Sequence, residues 1–178
     1  DDYLLKLQVI TGEPVKISSL MLELSGPGAT FPELQKMLDT FPLKEGEILR
    51  QDYYEQGKAL LIQEAVEYGF LDAKFSEHQI RVYRAENRAE IVLQLDTGTR
   101  YRFGQTTFLG DSGYPERFLQ RFLSYQKGDF FSHRKLGQTQ LNLRNADLFE
   151  RVTITPDSGH MVDEQMPVKV ELHPAPRH

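Results

Sequence analysis

The chain contains no cysteine among its 178 residues. This absence excludes disulfide bonds, zinc sites built on thiolates and a cysteine nucleophile. A chain without cysteine suits a reducing cytosol, and it equally suits a bacterial periplasmic module in which stray oxidation is avoided. Cysteine usage therefore excludes several chemistries and leaves the compartment open.

Long apolar runs and an excess of positive charge are also missing. No run of about twenty apolar residues is present, so we expect no membrane-spanning helix. No basic and then apolar leader opens the chain. It begins instead on an apolar run at residues 3–7, which resembles a strand already under way and suggests a piece of a longer protein. The formal net charge of −5 disfavours nucleic acid or an anionic membrane as the main partner.

What the sequence does contain is one pattern used twice. Five segments of the first half have counterparts of similar chemistry, in the same order, roughly 80 residues later. The matched pairs are 15–17 with 101–103, 31–33 with 114–116, 44–49 with 126–131, 69–72 with 147–150, and 91–95 with 168–172. The order and the chemistry together indicate two copies of one structural unit.

Hydrophobic periodicity predicts the elements of the first copy. Leucines alternate with other residues over 20–24, which is typical of a half-buried strand. A helix is predicted over 31–41, because Pro32 suits a first turn, and a second helix over 51–68, where apolar residues recur every three or four positions. Gly69 is well placed to cap this second helix in the left-handed conformation. A hairpin of strands 73–83 and 90–96 completes the copy.

The second copy repeats this order of elements. Strands are predicted over 101–109, 152–155 and 168–173, and helices over 115–123 and 133–147. Each unit is then β-α-α-β-β, with a three-stranded mixed sheet and both helices on one face. The predicted fold class is therefore α+β, with two such units in tandem. Because few residues lie between the two copies, we expect the join at 96–102 to be stiff.

No catalytic or metal site is predicted with comparable support. Gly110-Asp111-Ser112-Gly113 matches the nucleophile tetrapeptide of chymotrypsin-like proteases, yet no histidine stands in a matching context, and a turn is the preferred interpretation. The histidines are isolated, and no zinc-binding spacing is found. We therefore expect no enzyme, no metal and no cofactor, and a serine hydrolase using Ser112 remains a remote alternative.

The two units resemble the polypeptide-transport-associated (POTRA) repeats of the outer-membrane protein assembly superfamily. The resemblance is carried by the entry motif around 98–104 and 12–17, by Gly46-Glu47 and Gly128-Asp129 before the second helix, and by 69–72 and 148–150 after it. Within the superfamily, the 98–104 run GTRYRFG and the end of the chain at 172–178 are most similar to the TamA type, the outer-membrane subunit of the translocation and assembly module. One departure is Asp147-Leu148 where a glycine is usual, so the second helix of that copy is expected to be capped differently.

The resemblance implies an organisation and a location. Residues 1–12 would be the last strand of a preceding repeat, 13–97 the second repeat of the series, and 98–178 the third, barrel-proximal repeat. The chain would be the periplasmic portion of a bacterial outer-membrane protein whose membrane β-barrel follows in the same polypeptide. Its other partners would be unfolded or extended outer-membrane protein clients and an inner-membrane-anchored periplasmic protein, with no role for nucleic acid.

The predicted topology also provides a binding mode. If the third strand of each unit is central, the second strand has an open edge at which an extended segment can pair by strand addition. We predict that clients dock along 74–83, with 151–155 as the weaker candidate edge. The candidate binding residues are Phe75, Gln79, Arg81 and Tyr83, and those of the inter-repeat join are Gly98, Arg100, Tyr101, Arg102 and Phe103.

The predicted function is accordingly a periplasmic scaffold and docking module of an outer-membrane protein assembly or translocation machine. The same fold also serves as the receptor arm of a two-partner secretion transporter, which recognises one dedicated substrate. This alternative stays open at the level of the sequence.

Overall fold

Each half of the chain folds into a three-stranded sheet with two helices. A computed structural model describes residues 8–9 and 11–176. The first unit consists of β1 Lys16–Ser25, α1 Pro32–Asp39, α2 Gln51–Glu67, β2 Lys74–Tyr83 and β3 Arg88–Asp96. The second consists of β4 Arg102–Leu109, α3 Glu116–Leu119, α4 His133–Asn145, β5 Phe149–Pro156 and β6 Gln165–Pro174. Short 3₁₀ turns lie at Arg84–Glu86, Gln120–Phe122 and Ser158–His160.

The last strand of each unit is the central strand of its sheet. The strand orders are β1-β3-β2 and β4-β6-β5, with the first pair parallel and the hairpin antiparallel in both. A parallel partner needs a crossover connection, and the two helices between the first and second strands supply it on one side of the sheet. This arrangement confirms the predicted α+β fold of two mixed sheets.

Each unit buries its own core. In β3, alternate residues from Ala89 to Leu95 are almost fully buried against the helices, while the residues between them are half-exposed. In the second unit Val168, Val170 and Leu172 of β6 are buried in the same alternating way. The buried core residues of the two units form separate clusters, and Leu71 is a side chain of the first unit that packs against the core of the second.

The Gly-Glu and Gly-Asp motifs close the same turn in both units. The Glu47 carboxylate accepts from the N–H of Lys44 at 3.0 Å, and Asp129 accepts from the N–H of Gln126 at 2.9 Å. Gly46 and Gly128 both have positive φ values, 85° and 91°. An acidic residue directly after a glycine is thus required by the turn that leads into the second helix of each unit.

The ends of the two long helices differ in the residue that takes the left-handed conformation. Gly69 follows α2 with a φ of 95°, as predicted, and Asp147 follows α4 with a φ of 55°. Aspartate tolerates this conformation better than most residues because its short polar side chain bonds locally. The second unit therefore keeps a left-handed residue at this position without the glycine.

Several predicted boundaries shift. The helix predicted over 115–123 is a single α-helical turn followed by a 3₁₀ turn, and β6 begins at Gln165 rather than 168. The predicted strand of a preceding repeat at 1–12 falls mostly on 1–7 and 10, which lie outside the described residues. Within 8–9 and 11–176, no helix combines the length and the apolar character that a membrane crossing needs.

Candidate functional site

The candidate docking edge is β2, which has a neighbouring strand on one side only among residues 8–9 and 11–176. It pairs with β3 along its whole length, from Lys74 opposite Asp96 to Tyr83 opposite Arg88. Most of its residues are exposed, while β3 beside it is buried at every second position. A row of backbone N–H and C=O groups on the outer side of β2 is therefore open to a further strand.

The four predicted binding residues of β2 do not share one face. Their odd numbers would place them together in a regular strand. The register shifts between Phe75 and Glu77, however, so Ser76 is an extra residue that reverses the alternation. Phe75 consequently lies opposite Leu95 and packs on the core side, whereas Gln79, Arg81 and Tyr83 lie on the opposite face with Val92, Glu90 and Arg88.

Phe75 borders a groove between β2 and α2. The groove has a volume of about 430 Å³ and is lined by Glu55, Lys58, Ala59, Ile62, Gln63 and Phe75. The ammonium of Lys58 lies 5.5 Å from the centre of the Phe75 ring and 3.6 Å from the Glu55 carboxylate. The groove can receive an apolar side chain that points from an added strand toward the helices.

The open face of β2 carries a polar cluster at its Tyr83 end. The Arg88 guanidinium stacks on the Tyr83 ring at 3.8 Å, and it also bonds Glu90 at 2.8 Å. The Tyr83 hydroxyl donates to the other oxygen of Glu90 at 3.3 Å. Hydrogen bonding from Arg88, and secondarily from Tyr83, lowers the pKa of Glu90. The side chains at this end of the face are therefore held by contacts with one another, while Gln79 and Arg81 are exposed to solvent.

The edges of β1 and β4 are partly covered by the chain itself. The backbone N–H of Ile17 donates to the carbonyl of Glu47 at 2.8 Å, and the Ile17 carbonyl accepts from the N–H of Gly46 at 2.7 Å. Phe103 makes the same pair of backbone bonds with Asp129 and Gly128. The Glu45 side chain accepts from a further N–H of β1, that of Leu20. In contrast, β5 has β6 on one side and is the weaker candidate edge that the sequence indicated.

Of the predicted join residues, Gly98, Arg100 and Tyr101 lie between the two sheets, while Arg102 and Phe103 are the first residues of β4. Arg100 and Tyr101 bond the first unit. The N–H of Tyr101 donates to Gly69 O at 2.8 Å, the Arg100 Nε–H donates to Tyr68 O at 2.7 Å, and the Tyr101 hydroxyl donates to Asp72. The bond to Asp72, and secondarily burial, raises the pKa of Tyr101. Gly98 takes a φ of 60° beside these bonds, and Phe103 is buried in the second core.

The sequence did not identify the residue that joins the two long helices. The Glu67 carboxylate, in the last turn of α2, accepts from the Ser132 hydroxyl and from the N–H of Arg134 at 3.2 Å. It therefore satisfies donors at the N-terminus of α4, where a negative charge is favourable. No local signal marks this pair, because the two residues are 65 positions apart.

The alternative site at Ser112 is a local turn. The Ser112 hydroxyl accepts from the N–H of Tyr114 and donates to its carbonyl, both at 3.2 Å, while Asp111 accepts from Gly113. Among residues 8–9 and 11–176, no three histidine or acidic side chains cluster in a way that would hold a metal ion.

Comparison with known proteins gives a sequence match for the second unit. Residues 101–174 match the POTRA family, described as a surface antigen variable number repeat.

Solved structures extend the similarity to both units. The chain is similar to BamA POTRA3-5 from Haemophilus influenzae, with 18% identity and a TM-score of 0.61 over 89% of this chain and 61% of the other. It is also similar to BamA from Haemophilus ducreyi lacking POTRA domains 1-3, with 18% identity and a TM-score of 0.68 over 90% and 29%. A third similar structure is POTRA1-2 of the periplasmic domain of Omp85 from Anabaena, with 14% identity and a TM-score of 0.50 over 94% and 100%.

The chain thus spans less than two thirds of the length of either BamA structure. At these identities the structural similarity concerns the fold. Residues 101–174 are therefore similar in sequence to the POTRA family, and the chain as a whole has the fold seen in tandem POTRA domains.

Proposed function

We propose that this chain is a periplasmic docking module of an outer-membrane protein assembly or translocation machine, and that it binds extended segments by strand addition to β2. The POTRA match at 101–174 and the two-unit fold support this role. The GTRYRFG run at 98–104 supports a subunit of the TamA type, with a barrel in the same polypeptide, an inner-membrane-anchored partner and outer-membrane proteins as clients. The proposed role is binding rather than catalysis.

The observation that carries this proposal is the difference between the two edges of the first sheet. The β1 edge is partly occupied by hydrogen bonds from 45–49, whereas in the part of the chain that the structure describes β2 pairs with β3 alone. An incoming strand would gain main-chain hydrogen bonds that depend little on its sequence. This property suits a module that must accept many different clients.

Side chains of the added strand would meet two different surfaces. Those pointing toward the helices would reach the groove beside Phe75, and those pointing away would lie along Gln79 and Arg81. A client with alternating apolar and polar residues satisfies both surfaces at once. Strands of membrane barrels have this alternation.

The join would serve this role by fixing the direction of β2. Arg100 and Tyr101 bond the end of the first unit, and Glu67 bonds the start of α4. In the proposed function, a strand added to β2 is therefore presented to the second unit, and to whatever follows it, at one orientation.

Proline substitutions at two neighbouring positions of β2 test the docking edge. In an antiparallel pair, the N–H groups of successive residues point alternately to the partner strand and outward. Of Ile80→Pro and Arg81→Pro, one therefore removes a ladder bond to β3 and destabilises the sheet, and the other removes an outward donor. We expect the outward variant to keep its thermal midpoint within a few degrees and to lose most crosslinking to an extended probe.

The probe is a ten-residue peptide that alternates leucine and threonine and carries one benzophenone side chain. Ile154→Pro in β5 is the matched control, because the bond from the Asp157 N–H to Pro167 O sets an alternation that leaves the Ile154 N–H outward, and it should leave crosslinking to β2 unchanged. If the folded outward variant crosslinks as well as the unmodified chain, β2 is not the docking strand. Crosslinks that map to β5 instead would assign the role to the second unit.

A further inference from the structure

Two arginines of the join enclose one aromatic ring. The guanidinium carbons of Arg100 and Arg102 lie 3.4 Å and 3.9 Å from the centre of the Phe130 ring. Two groups at these distances on one face would overlap, so they occupy opposite faces of the ring. The two positive groups are therefore separated by the ring, at up to about 7 Å from each other.

This stack lines a cleft between the two units. The cleft has a volume of about 440 Å³ and lies between the end of α2 and the start of α4. About a third of the Phe130 surface is exposed. The lining residues include Tyr68, Arg100, Arg102, Phe130, Ser132 and Lys135.

Within the described residues, neither guanidinium has a carboxylate at ion-pair distance, in contrast to Arg50 and Arg88. Arg100 donates from Nε to the carbonyl of Tyr68, and Arg102 donates from Nη1 to the carbonyl of Gly128 at 2.7 Å. Burial lowers the pKa of Arg100, and the neighbouring Arg102 lowers it further. An added anion would supply the two guanidiniums with the charged hydrogen-bond partner that they lack here.

The carboxylates that line the cleft have other partners. Glu67 bonds Ser132 and Arg134, while Asp129 bonds the N–H of Gln126 and lies 3.8 Å from the Lys135 ammonium. Across the described residues, every buried side-chain nitrogen or oxygen has a partner. The remaining N–H groups of the two arginines are consequently open to solvent.

We propose that this cleft binds an extended segment of a partner protein through acidic side chains at positions i and i+2. Side chains two residues apart on a strand point the same way and are separated by about 6.7 Å, which matches the distance between the two guanidiniums. Each carboxylate then pairs with one guanidinium, and the strand crosses the exposed rim of Phe130. A single carboxylate or phosphate would be kept from contacting both arginines by the ring between them.

This site is separate from the β2 edge, so the two proposals can fail independently. The test uses two acetylated and amidated peptides of identical composition, one with Asp-Thr-Asp and one with Thr-Asp-Asp at its centre. Binding of fluorescent derivatives is measured by anisotropy in low salt. We expect the Asp-Thr-Asp peptide to bind at least fivefold more tightly, because adjacent aspartates point to opposite faces of a strand.

Substitutions then assign the binding to the stack. Arg102→Gln should weaken binding of the Asp-Thr-Asp peptide about fivefold, and the double variant Arg100→Gln/Arg102→Gln should weaken it at least tenfold. Arg121→Gln, at an exposed position outside the cleft, should leave binding unchanged. Arg102→Gln alone keeps the Arg100 bond to Tyr68 and so guards against an effect of misfolding. Equal binding of both peptides, or binding unchanged in Arg102→Gln and in the folded double variant, would overturn the proposal.

Discussion

Gly57→Ala should destabilise the first unit by about 2 kcal/mol, although alanine is the better helix former. Gly57 lies on the buried face of α2, and a Cβ atom there would stand 2.4 Å from the ring of Phe41. Phe41 is itself only 4% exposed, so its ring cannot move aside without opening the core. The overlap must therefore outweigh the gain in helix propensity, and urea unfolding monitored by circular dichroism measures the balance.

Gly137→Ala is the matched control in the second unit. Gly137 also lies inside a helix, α4, but nothing is within 4 Å of the position that its Cβ would take. Only the conformational effect remains, so this variant should be stabilised by roughly 0.5–1 kcal/mol. Stabilisation of both variants would mean that α2 and Phe41 do not approach each other as described.

Gly69→Ala should loosen the join in addition to destabilising the chain. A Cβ at Gly69 would lie 3.0 Å from the carbonyl oxygen of Tyr101 and 3.2 Å from that of Phe131, both in the second unit. With a φ of 95°, the substitution also carries a conformational cost of about 1–2 kcal/mol. We therefore expect a loss of about 2–3 kcal/mol, of which the part beyond the conformational cost comes from contact between the units.

Gly46→Ala separates the two contributions. Its φ is 85°, close to that of Gly69, and nothing lies within 4 Å of its added Cβ. It should lose only the conformational part and leave the arrangement of the units unchanged.

The arrangement is measured by the distance between spin labels at Leu60→Cys and Leu141→Cys, two exposed helix positions in a chain without native cysteine. The unmodified and Gly46→Ala chains should give one narrow distribution, and Gly69→Ala a broader one. A broad distribution in the unmodified chain would contradict the rigid join.

The repeat pattern predicted the fold well because both units depend on the same local physics. The sequence paired 44–49 with 126–131, and in the structure the backbone carbonyls of Glu47 and Asp129 accept equivalent bonds from the first strand of each unit, at Ile17 and Phe103. Both segments contain a glycine followed by an acidic residue, and in both the acidic side chain closes the turn. Alternation then identified β3 and β6 as strands that bury one face.

The site was less predictable because it depends on features without a sequence period. The extra residue at Ser76 reverses the alternation in β2 and separates Phe75 from Gln79, and serine is not a residue that marks a bulge. The contact of Glu67 with the start of α4 joins residues far apart in the chain. Such contacts follow from how two folded units meet, which local patterns do not encode.

Amide hydrogen exchange along β2 tests the docking proposal most directly. In the isolated chain, ladder bonds to β3 should protect alternate N–H groups of Lys74–Tyr83, apart from a break at the Ser76 bulge, and leave the others to exchange rapidly. When the leucine–threonine peptide is added in excess, we expect exchange of these outward N–H groups to slow by at least tenfold, while exchange along β5 is unchanged. Outward N–H groups that exchange equally fast with and without bound peptide would contradict the docking proposal.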